Sequence, residues 1–229
     1  MISVEHLTKE YGKVRALDDL TLKLSGNKIV GLLGENGCGK TTLLRILAGL
    51  NQPTTGRVTI DGHEPGPYTK GIVSFLPDTP NLPLRAEVGY MLKYFEDFFA
   101  NFNRTTCQNL LDTFNIAADD RLNEMSKGQR EKVHVALVMS REAQVYLLDE
   151  PISGVDPAAR DSTLQAILAA MHPEALMLIT THLVADIEHL LDEAIFMRHG
   201  RIIAMGEVEE LRSDSQRSLN DYFKELYIS

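Results

Sequence analysis

Four residues near the start of the chain have the types and spacing of a phosphate-binding loop. Gly34, Gly39, Lys40 and Thr41 occupy the fixed positions of the pattern G-x-x-x-x-G-K-[ST]. Glycines let backbone N–H groups turn inward around an anion, and the lysine places a positive charge beside the β- and γ-phosphates of a nucleotide. The threonine hydroxyl can ligate Mg²⁺. The pattern therefore predicts a nucleoside triphosphate site rather than an ordinary glycine turn.

The segments on either side of this loop are the ones that the loop needs. An apolar run, 29–33, comes before it, and apolar residues at helical spacing follow it over 43–50. The sequence thus predicts a strand, a loop and a helix in that order. This order places the phosphates at a helix N-terminus, where the helix dipole favours negative charge.

Two carboxylates end a second apolar run. Asp149 and Glu150 directly follow 145–148, which has the composition of a buried parallel strand. Ligands of α/β proteins bind at the carboxyl edge of the sheet, where residues in this position lie. Beside a phosphate loop, Asp149 could hold Mg²⁺ through water and Glu150 could polarise the attacking water. Solvated loop acids are the alternative, which the preceding strand disfavours.

Three further positions could contact a nucleotide, and each also has a plain structural interpretation. Ser126 and Gln129 form a helix capping box, which would leave the backbone N–H groups of 127–129 free for an anion or merely begin a helix. His182 follows the apolar run 175–180 and could donate to a γ-phosphate, or be a satisfied structural histidine. Tyr11 could stack on a base, or cover the sheet as a turn residue.

Composition and charge exclude several classes of protein. The net charge of -9 over 229 residues, without a basic run, weighs against a nucleic-acid partner. No apolar stretch approaches the length of a membrane span, and the N-terminus lacks the pattern of a signal peptide. Cys38 and Cys107 lie in neither CxxC nor metal-binding spacing, so we expect free thiols and no structural zinc. Cys38 also directly precedes Gly39 at a predicted helix N-terminus, which predicts raised thiolate character; a small space-filling residue is the alternative. A cytosolic globular protein is predicted.

The rest of the chain alternates between strand and helix patterns. Alternating apolar residues predict strands over 2–7 and 17–24 in a small antiparallel sheet. A helical pattern covers 81–115, with a second helix from 105, and its aromatic stripe indicates either a subdomain core or a groove for a partner. The remaining predicted elements are strands at 57–60 and 72–76, a helix from 126 to about 141, a hairpin of 194–197 with 201–204, and helical segments at 208–211 and 218–226.

Five motifs occur together in the order and spacing of an ATPase subunit of the ATP-binding cassette (ABC) family. They are GENGCGKTT, MSKGQ, LLDEP, SGVD and the TTH that ends at His182. MSKGQ discriminates best, because many phosphate-loop proteins share the loop and the acidic strand, whereas this signature resembles ABC proteins only. The resemblance implies an α/β P-loop NTPase core with an antiparallel β-subdomain and an inserted α-helical subdomain at about 82–139, in a single ABC ATPase domain of residues 1–229.

The resemblance also implies ATP and Mg²⁺ as cofactors and assigns roles to matched positions. Tyr11 resembles the aromatic residue that stacks on adenine, and Asp149 resembles the acid that holds Mg²⁺. Glu150 resembles the catalytic base, Asp156 the dimer-crossing loop, and His182 the switch histidine. The phosphate loop is matched by Gly34, Glu35, Asn36, Gly37, Cys38, Gly39, Lys40, Thr41 and Thr42.

The signature is matched by Ser126, Gly128 and Gln129, which would cap the γ-phosphate of a partner subunit's ATP. Two positions depart from the usual family pattern. The signature has Lys127 where a glycine is usual, so that side chain must point away or add a charge at the dimer interface. Asp78 stands where a glutamine is usual; an acid there could still ligate Mg²⁺ or orient water, but it adds negative charge beside the phosphates.

The resemblance implies a subunit that hydrolyses ATP to power a separately encoded membrane-spanning transporter subunit. Two copies, identical or different, would pair head to tail at the cytoplasmic face of the membrane. FLPDTPNLP, the aromatic helix, SKG and SGVDP most resemble ATPases of Gram-positive-type export systems. One rival function is a soluble ABC ATPase that acts on nucleic acid or ribosomes, which the acidic charge disfavours. A nucleotide kinase is the second rival, disfavoured by the signature and His182.

Overall fold

The computed structural model describes residues 1–215 and 218–228; residues 216, 217 and 229 of the predicted single domain lie outside the described residues. The strands are β1 (Ile2–Tyr11), β2 (Val14–Leu24), β3 (Ile29–Gly34), β4 (Thr55–Ile60), β5 (Val73–Leu76), β6 (Val145–Asp149), β7 (Leu176–Thr181), β8 (Glu193–Arg198) and β9 (Arg201–Glu207). The helices are α1 (Lys40–Leu47), α2 (Pro67–Ile72), α3 (Val88–Phe98), α4 (Arg104–Thr113), α5 (Lys127–Met139), α6 (Pro157–Ala170), α7 (Val184–Ile187), α8 (Val208–Ser215) and α9 (Leu219–Ile228). A 3₁₀ turn, Glu188–Leu190, follows α7.

A small antiparallel sheet and a larger, mostly parallel sheet form the frame of the molecule. The small sheet has the order β2-β1-β4, which confirms the predicted antiparallel subdomain. The larger sheet has the order β5-β6-β7-β3-β8-β9, in which β9 alone of its described strands is antiparallel to its neighbour. Because β5, β6, β7 and β3 are parallel, the residues that follow them meet at one edge of the sheet.

Both faces of the larger sheet are buried along β3, β6 and β7, which explains why these strands have nearly continuous apolar sequences. On β3 and β6, Leu33 and Leu148 face a core formed with the helices, while Leu32 and Leu147 face a second core. This second core includes α1 and the antiparallel sheet. Burying each such side chain contributes about 1.5–3 kcal/mol, so the cores hold the strand ends and their attached loops in place.

Two helices form within 81–115, as predicted, but the first begins at Val88 rather than at 81, so the prediction of helix from 81 onward was wrong. Helix α3 ends at Phe98, and Asn103 begins α4 by accepting a hydrogen bond from the backbone N–H of Thr106 at 3.0 Å. Between them, the side-chain amide of Asn101 donates to the carbonyl oxygen of Glu142 at 3.1 Å. These local hydrogen bonds compete with the helix. Helix α2 was not predicted, and the strand expected from 72 begins at 73.

The aromatic stripe divides into a buried face and an exposed face. Met91 and Leu92 are buried with Val88 in the core. Tyr90 and Phe98 are 62% and 69% exposed, and the ring of Phe98 stacks on that of Tyr94 at 5.1 Å. One face is therefore buried, in a core that the helices share with the larger sheet, while the other face lies open to solvent. Within the described residues, every helix is too short or too polar to cross a membrane.

Candidate nucleotide-binding and catalytic site

The phosphate loop connects the end of β3 to the start of α1, as the sequence predicted. Gly37 and Gly39 have positive φ angles of 82° and 111°. A side chain on Gly39 would bring its Cβ to 2.4 Å from the carbonyl oxygen of Ala16, so both the backbone angle and the space require glycine. The loop thereby places the first N–H groups of α1, which have no partner within the helix, beside an open cavity.

Lys40 is held inside the loop. Its Nζ donates to the carbonyl oxygen of Gly34 at 2.6 Å and to that of Glu35 at 3.1 Å, and the side chain is buried. Lys40 also lines the phosphate cavity, so its ammonium group can contact a bound phosphate without any movement of the backbone. A buried, fixed positive charge is well suited to bind phosphate oxygens.

Asp149 has a free carboxylate oxygen, which is the observation that fits a bound cation. Its Oδ1 accepts a hydrogen bond from Thr180 Oγ1 at 2.7 Å, while its buried Oδ2 has no partner among the described residues. Buried carboxylate oxygens are normally paired, and Mg²⁺ prefers oxygen ligands. Thr41 and Asp78 line the same cavity, so the predicted metal-binding residues Thr41, Asp78 and Asp149 lie around one space.

Glu150 and His182 form a contacting pair at the ends of β6 and β7. Glu150 Oε2 lies 2.9 Å from His182 Nδ1. The backbone of Glu150 is in the left-handed region at φ 52°, held there by its N–H, which donates to both oxygens of Thr180. A non-glycine residue in this conformation is uncommon and clusters at functional sites. The Glu150 carboxylate can accept a proton from water, and His182 can orient this carboxylate.

These groups line one cavity of about 360 Å³, which lies within the range of small-molecule sites. Its lining residues are Ala16, Asn36, Gly37, Gly39, Lys40, Thr41, Thr42, Asp78, Asp149, Glu150, Ser153 and His182. Ala16 and Ser153 were not among the predicted site residues, since a small side chain in a strand or turn carries no distinctive signal. The predicted residues outside this lining are Tyr11, Gly34, Glu35, Cys38, Ser126, Gly128 and Gln129.

The signature forms the predicted capping box, with one correction. Ser126 Oγ accepts from the backbone N–H of Gln129 at 3.2 Å, and Gln129 Oε1 accepts from the N–H of Ser126 at 2.9 Å. The expectation that the N–H of Gln129 would be free was therefore wrong, because the cap itself uses that group. Lys127 and Gly128 remain as the positions that could present backbone N–H groups to an anion.

Behind the signature lies a buried carboxylate that the sequence analysis did not identify. Glu131 packs so closely on Gly154 that a Cβ on Gly154 would lie about 2.1 Å from Glu131 Oε2. The pKa of Glu131 is raised above its usual value, mainly because the carboxyl group is buried. The negative charge of Asp78 adds to this effect, and the positive charge of Lys127 opposes it. Lys127 Nζ lies 3.6 Å from Glu131 Oε1, so the lysine that departs from the family pattern points along its own helix towards the next turn. Glu131 thus links the signature, the SGVD turn and Asp78.

Tyr11 lies outside the cavity and is half exposed. Its hydroxyl accepts a hydrogen bond from Asn51 Nδ2 at 2.8 Å, and Lys9 Nζ lies 5.0 Å from the centre of its ring. Its exposed ring surface permits the predicted stacking on adenine, which stays a prediction. The hydrogen bond to Asn51, which follows α1, also fits the alternative, in which Tyr11 is a structural turn residue.

Cys38 differs from expectation. Its position before a helix N-terminus predicted raised thiolate character. In the structure the thiol is buried, and this burial raises its pKa, with only a smaller opposing effect from Lys40. The prediction of raised thiolate character was therefore wrong, and Cys38 is a buried residue that fills space beneath the loop, as the alternative predicted.

The fold and this site define a phosphate-loop ATPase. Residues 17–153 match the ABC transporter family. The ATP-binding protein of the lipopolysaccharide export system of Haemophilus influenzae is 30% identical over an alignment of 236 positions, which covers 94% of this chain and 94% of that protein. An Fe(3+) ion import ATP-binding protein of Pectobacterium atrosepticum is 31% identical over 218 residues, 92% of this chain and 62% of that protein. The chain belongs to the ABC transporter ATP-binding family.

The fold comparison agrees with this assignment. A solved structure of an ATP-binding subunit of an ABC transporter superposes with a TM-score of 0.87 at 26% identity, over 99% of both chains. The predicted fold class, a P-loop core with an antiparallel β-subdomain and a helical subdomain, is confirmed. ATP binding and hydrolysis are the activities of this family.

Replacing Asp78 with glutamine is expected to change how nucleotide and Mg²⁺ bind without unfolding the protein. Asp78 is exposed and shares the cavity with two other carboxylates, so the substitution removes repulsion of phosphate and also a candidate Mg²⁺ ligand. ATP affinity without Mg²⁺ should rise, and the Mg²⁺ concentration for half-maximal ATPase activity should rise, each about three- to tenfold. Calorimetry and Mg²⁺ titration would measure both. Asp161→Asn, an exposed charge on α6, is the control, and identical effects in both variants would contradict this role.

Proposed function

We propose that this chain is the ATP-hydrolysing subunit of an ABC transporter and powers a separate membrane-spanning subunit at the cytoplasmic face of the membrane. The observation that supports this proposal most directly is that Lys40, Asp149, Glu150 and His182 line the same cavity. Family membership supplies the link to transport. In this proposal, residues 1–229 form one ABC ATPase domain, with a helical subdomain at about 82–139.

The site residues divide the work of hydrolysis between binding and proton transfer. Lys40 and the N–H groups of the phosphate loop hold the β- and γ-phosphates. Asp149 and Thr41 would hold Mg²⁺, which when bound supplies positive charge against the phosphate oxygens. Glu150 accepts a proton from the attacking water, and His182 orients the Glu150 carboxylate and can donate to the γ-phosphate.

A second ATPase subunit completes the site in this proposal. Ser126, Gly128 and Gln129 do not line the cavity of their own chain, although their motif is that of a γ-phosphate cap. In a head-to-tail pair with two-fold symmetry, each signature would face the phosphate loop of the other subunit. Asp156, at the exposed start of α6, would lie in the loop that crosses this interface.

The exposed aromatic face of α3, formed by Tyr90, Tyr94 and Phe98, is the proposed docking surface for a helix of the membrane-spanning subunit. Aromatic side chains on one helix face suit helix-in-groove recognition. The segment 77–83 contains Asp78, which lines the nucleotide cavity, and lies shortly before α3, which carries these rings. Binding of ATP could therefore be coupled to the partner through a short, proline-containing connection.

Export is the direction included in this proposal. It rests on the resemblance of FLPDTPNLP, SKG and SGVDP to exporter ATPases. Import is the alternative, because relatives of similar identity are named for import as well as for export. Transport into and out of vesicles that contain both subunits would distinguish the two directions.

Replacing Tyr94 and Phe98 with serine is expected to weaken binding of the membrane-spanning subunit about tenfold or more, since exposed aromatic anchors dominate such interfaces. ATP binding should be unchanged, because neither ring lines the nucleotide cavity. A pull-down with the co-expressed membrane subunit and an ATP titration would measure both. Ile203→Ser, at another exposed apolar position, is the matched control. Normal pull-down by the double variant would place the docking surface elsewhere.

A further inference from the structure

Helix α9 packs on β8, and none of its described residues lines the nucleotide cavity. The ring of Phe196, on β8, meets Tyr222 of α9 edge-on at 5.4 Å and Phe223 at 6.3 Å. Phe223 in turn packs on Tyr227 at 4.6 Å. These rings fix α9 against β8, the strand that pairs with β3 immediately before the loop.

The hydroxyl of Tyr227 reaches the point where β3 becomes the phosphate loop. It donates a hydrogen bond to the carbonyl oxygen of Met197, which is the register partner of Gly34. The pairing of β8 with β9 shifts register between Phe196 and Met197, an irregularity of the kind that leaves a strand group without its regular ladder partner. Tyr227 supplies a donor there.

The packing at this point is close enough for the hydroxyl to affect the loop. A Cβ on Gly34 would lie 2.5 Å from the Met197 carbonyl oxygen, 2.5 Å from Cys38 Sγ and 3.2 Å from Tyr227 Oη. The four groups therefore share one small space directly beneath the phosphate loop. Burial raises the pKa of the Tyr227 hydroxyl, with smaller contributions from Cys38 and Glu35, so the group stays protonated and able to donate at neutral pH.

The other end of α9 is tied to the segment that follows His182. Glu188 Oε2, in the 3₁₀ turn after α7, accepts a hydrogen bond from the backbone N–H of Asn220 at 3.0 Å. A carboxylate at the first turn of a helix satisfies a free N–H group and interacts favourably with the helix dipole. Helix α9 thus contacts both Met197, beside the first residue of the phosphate loop, and the segment that follows His182.

We propose that Tyr227 is a positioning residue for ATP binding: its hydroxyl holds the Met197 carbonyl, and through it Gly34 and Cys38, in the arrangement that the phosphate loop requires. The inference rests on the proposed nucleotide site, but it assigns a role in ATP binding to α9, which lies outside both the loop motif and the lining of the cavity. Tyr227 acts through the backbone beneath the loop and does not touch the nucleotide.

The test is the Tyr227→Phe variant, which removes one hydroxyl and keeps the ring packing. ATP affinity should fall roughly three- to tenfold, the effect of losing one hydrogen bond that fixes the loop. Alkylation of Cys38 by a maleimide should become faster by a similar factor, because Cys38 lies in the loosened space. Saturating ATP should restore slow labelling. Cys107, buried in α4 with a pKa raised to about 11 by burial, is the internal reference for the same reagent.

Tyr222→Phe is the matched control, since it removes the same group from the same helix where the ring packs on Phe196. It should leave ATP affinity and Cys38 labelling unchanged. Unaltered affinity and labelling in Tyr227→Phe would overturn the proposal, as would equal acceleration at Cys38 and Cys107, which indicates general loosening of the fold. Failure of the unsubstituted protein to bind ATP would instead contradict the proposed function, so the two failures are distinguishable.

Discussion

Replacement of Glu150 by glutamine should lower ATP turnover by about 10²- to 10⁴-fold, the range for loss of a general base. ATP affinity should remain close to that of the unsubstituted protein, because phosphate contacts come from Lys40 and the loop. Glutamine has the same shape, and its amide can still contact His182 Nδ1, which now lies 2.9 Å from the Glu150 carboxylate. Slow hydrolysis with intact binding should trap an ATP-bound dimer.

Single-turnover hydrolysis, ATP titration and size-exclusion chromatography with ATP would measure the three effects. Glu174→Gln is the control for charge, because Glu174 is exposed and precedes β7 at the opposite edge of the sheet. Hydrolysis within a few-fold of normal in Glu150→Gln would refute the assignment of Glu150 as the base. Loss of ATP binding would mean that Glu150 supports the site rather than the chemistry.

Replacement of Lys40 by alanine should weaken ATP binding itself, by about tenfold to more than a hundredfold, because a charge-assisted phosphate contact is lost. The loop carbonyls of Gly34 and Glu35 would also lose the ammonium group that they bind at 2.6 and 3.1 Å. Hydrolysis should fall with binding. Calorimetric titration with ATP measures the affinity directly.

Lys23→Ala provides the matched control, since Lys23 is exposed on β2 and the substitution makes the same change in net charge. Thermal unfolding of both variants would separate lost binding from lost folding. Unchanged ATP affinity in a folded Lys40→Ala protein would rule out the phosphate loop as the nucleotide site.

The parts of the site that lie within short motifs could be predicted from the sequence. Each loop residue from Gly34 to Thr42 has a local reason for its type, and the strand before and helix after follow from hydrophobic periodicity. Asp149 and Glu150 could be placed at the sheet edge because a buried strand precedes them. Parallel strand order then brings His182 to the same edge.

Contacts between distant segments could not be predicted. Nothing in the sequence near Tyr227 relates it to Gly34, and Glu131 reaches Gly154 only because α5 packs beside the SGVD turn. The Cys38 prediction failed for a related reason. Proximity to a helix N-terminus favours the thiolate, but burial opposes it, and burial is a property of the whole fold.

The ends of the helices were the second feature that the sequence alone could not predict. Apolar residues continue at helical spacing past Phe98, so the pattern alone predicts a longer helix than the one that forms. Side-chain hydrogen bonds from Asn101 and Asn103 end that helix and begin the next, and their partners include the distant Glu142. The buried and exposed faces of α3 likewise depend on where α4 and α5 pack.

The most direct test of the ATPase assignment is a crystal structure of the Glu150→Gln protein with ATP and Mg²⁺. We predict that the triphosphate lies on the backbone of the phosphate loop with Lys40 at its β- and γ-phosphates, and that Mg²⁺ lies beside the free Oδ2 of Asp149. Ser126 of a second copy should contact the γ-phosphate across a two-fold dimer. A nucleotide bound away from this loop, or Mg²⁺ held without Asp149, would contradict the account.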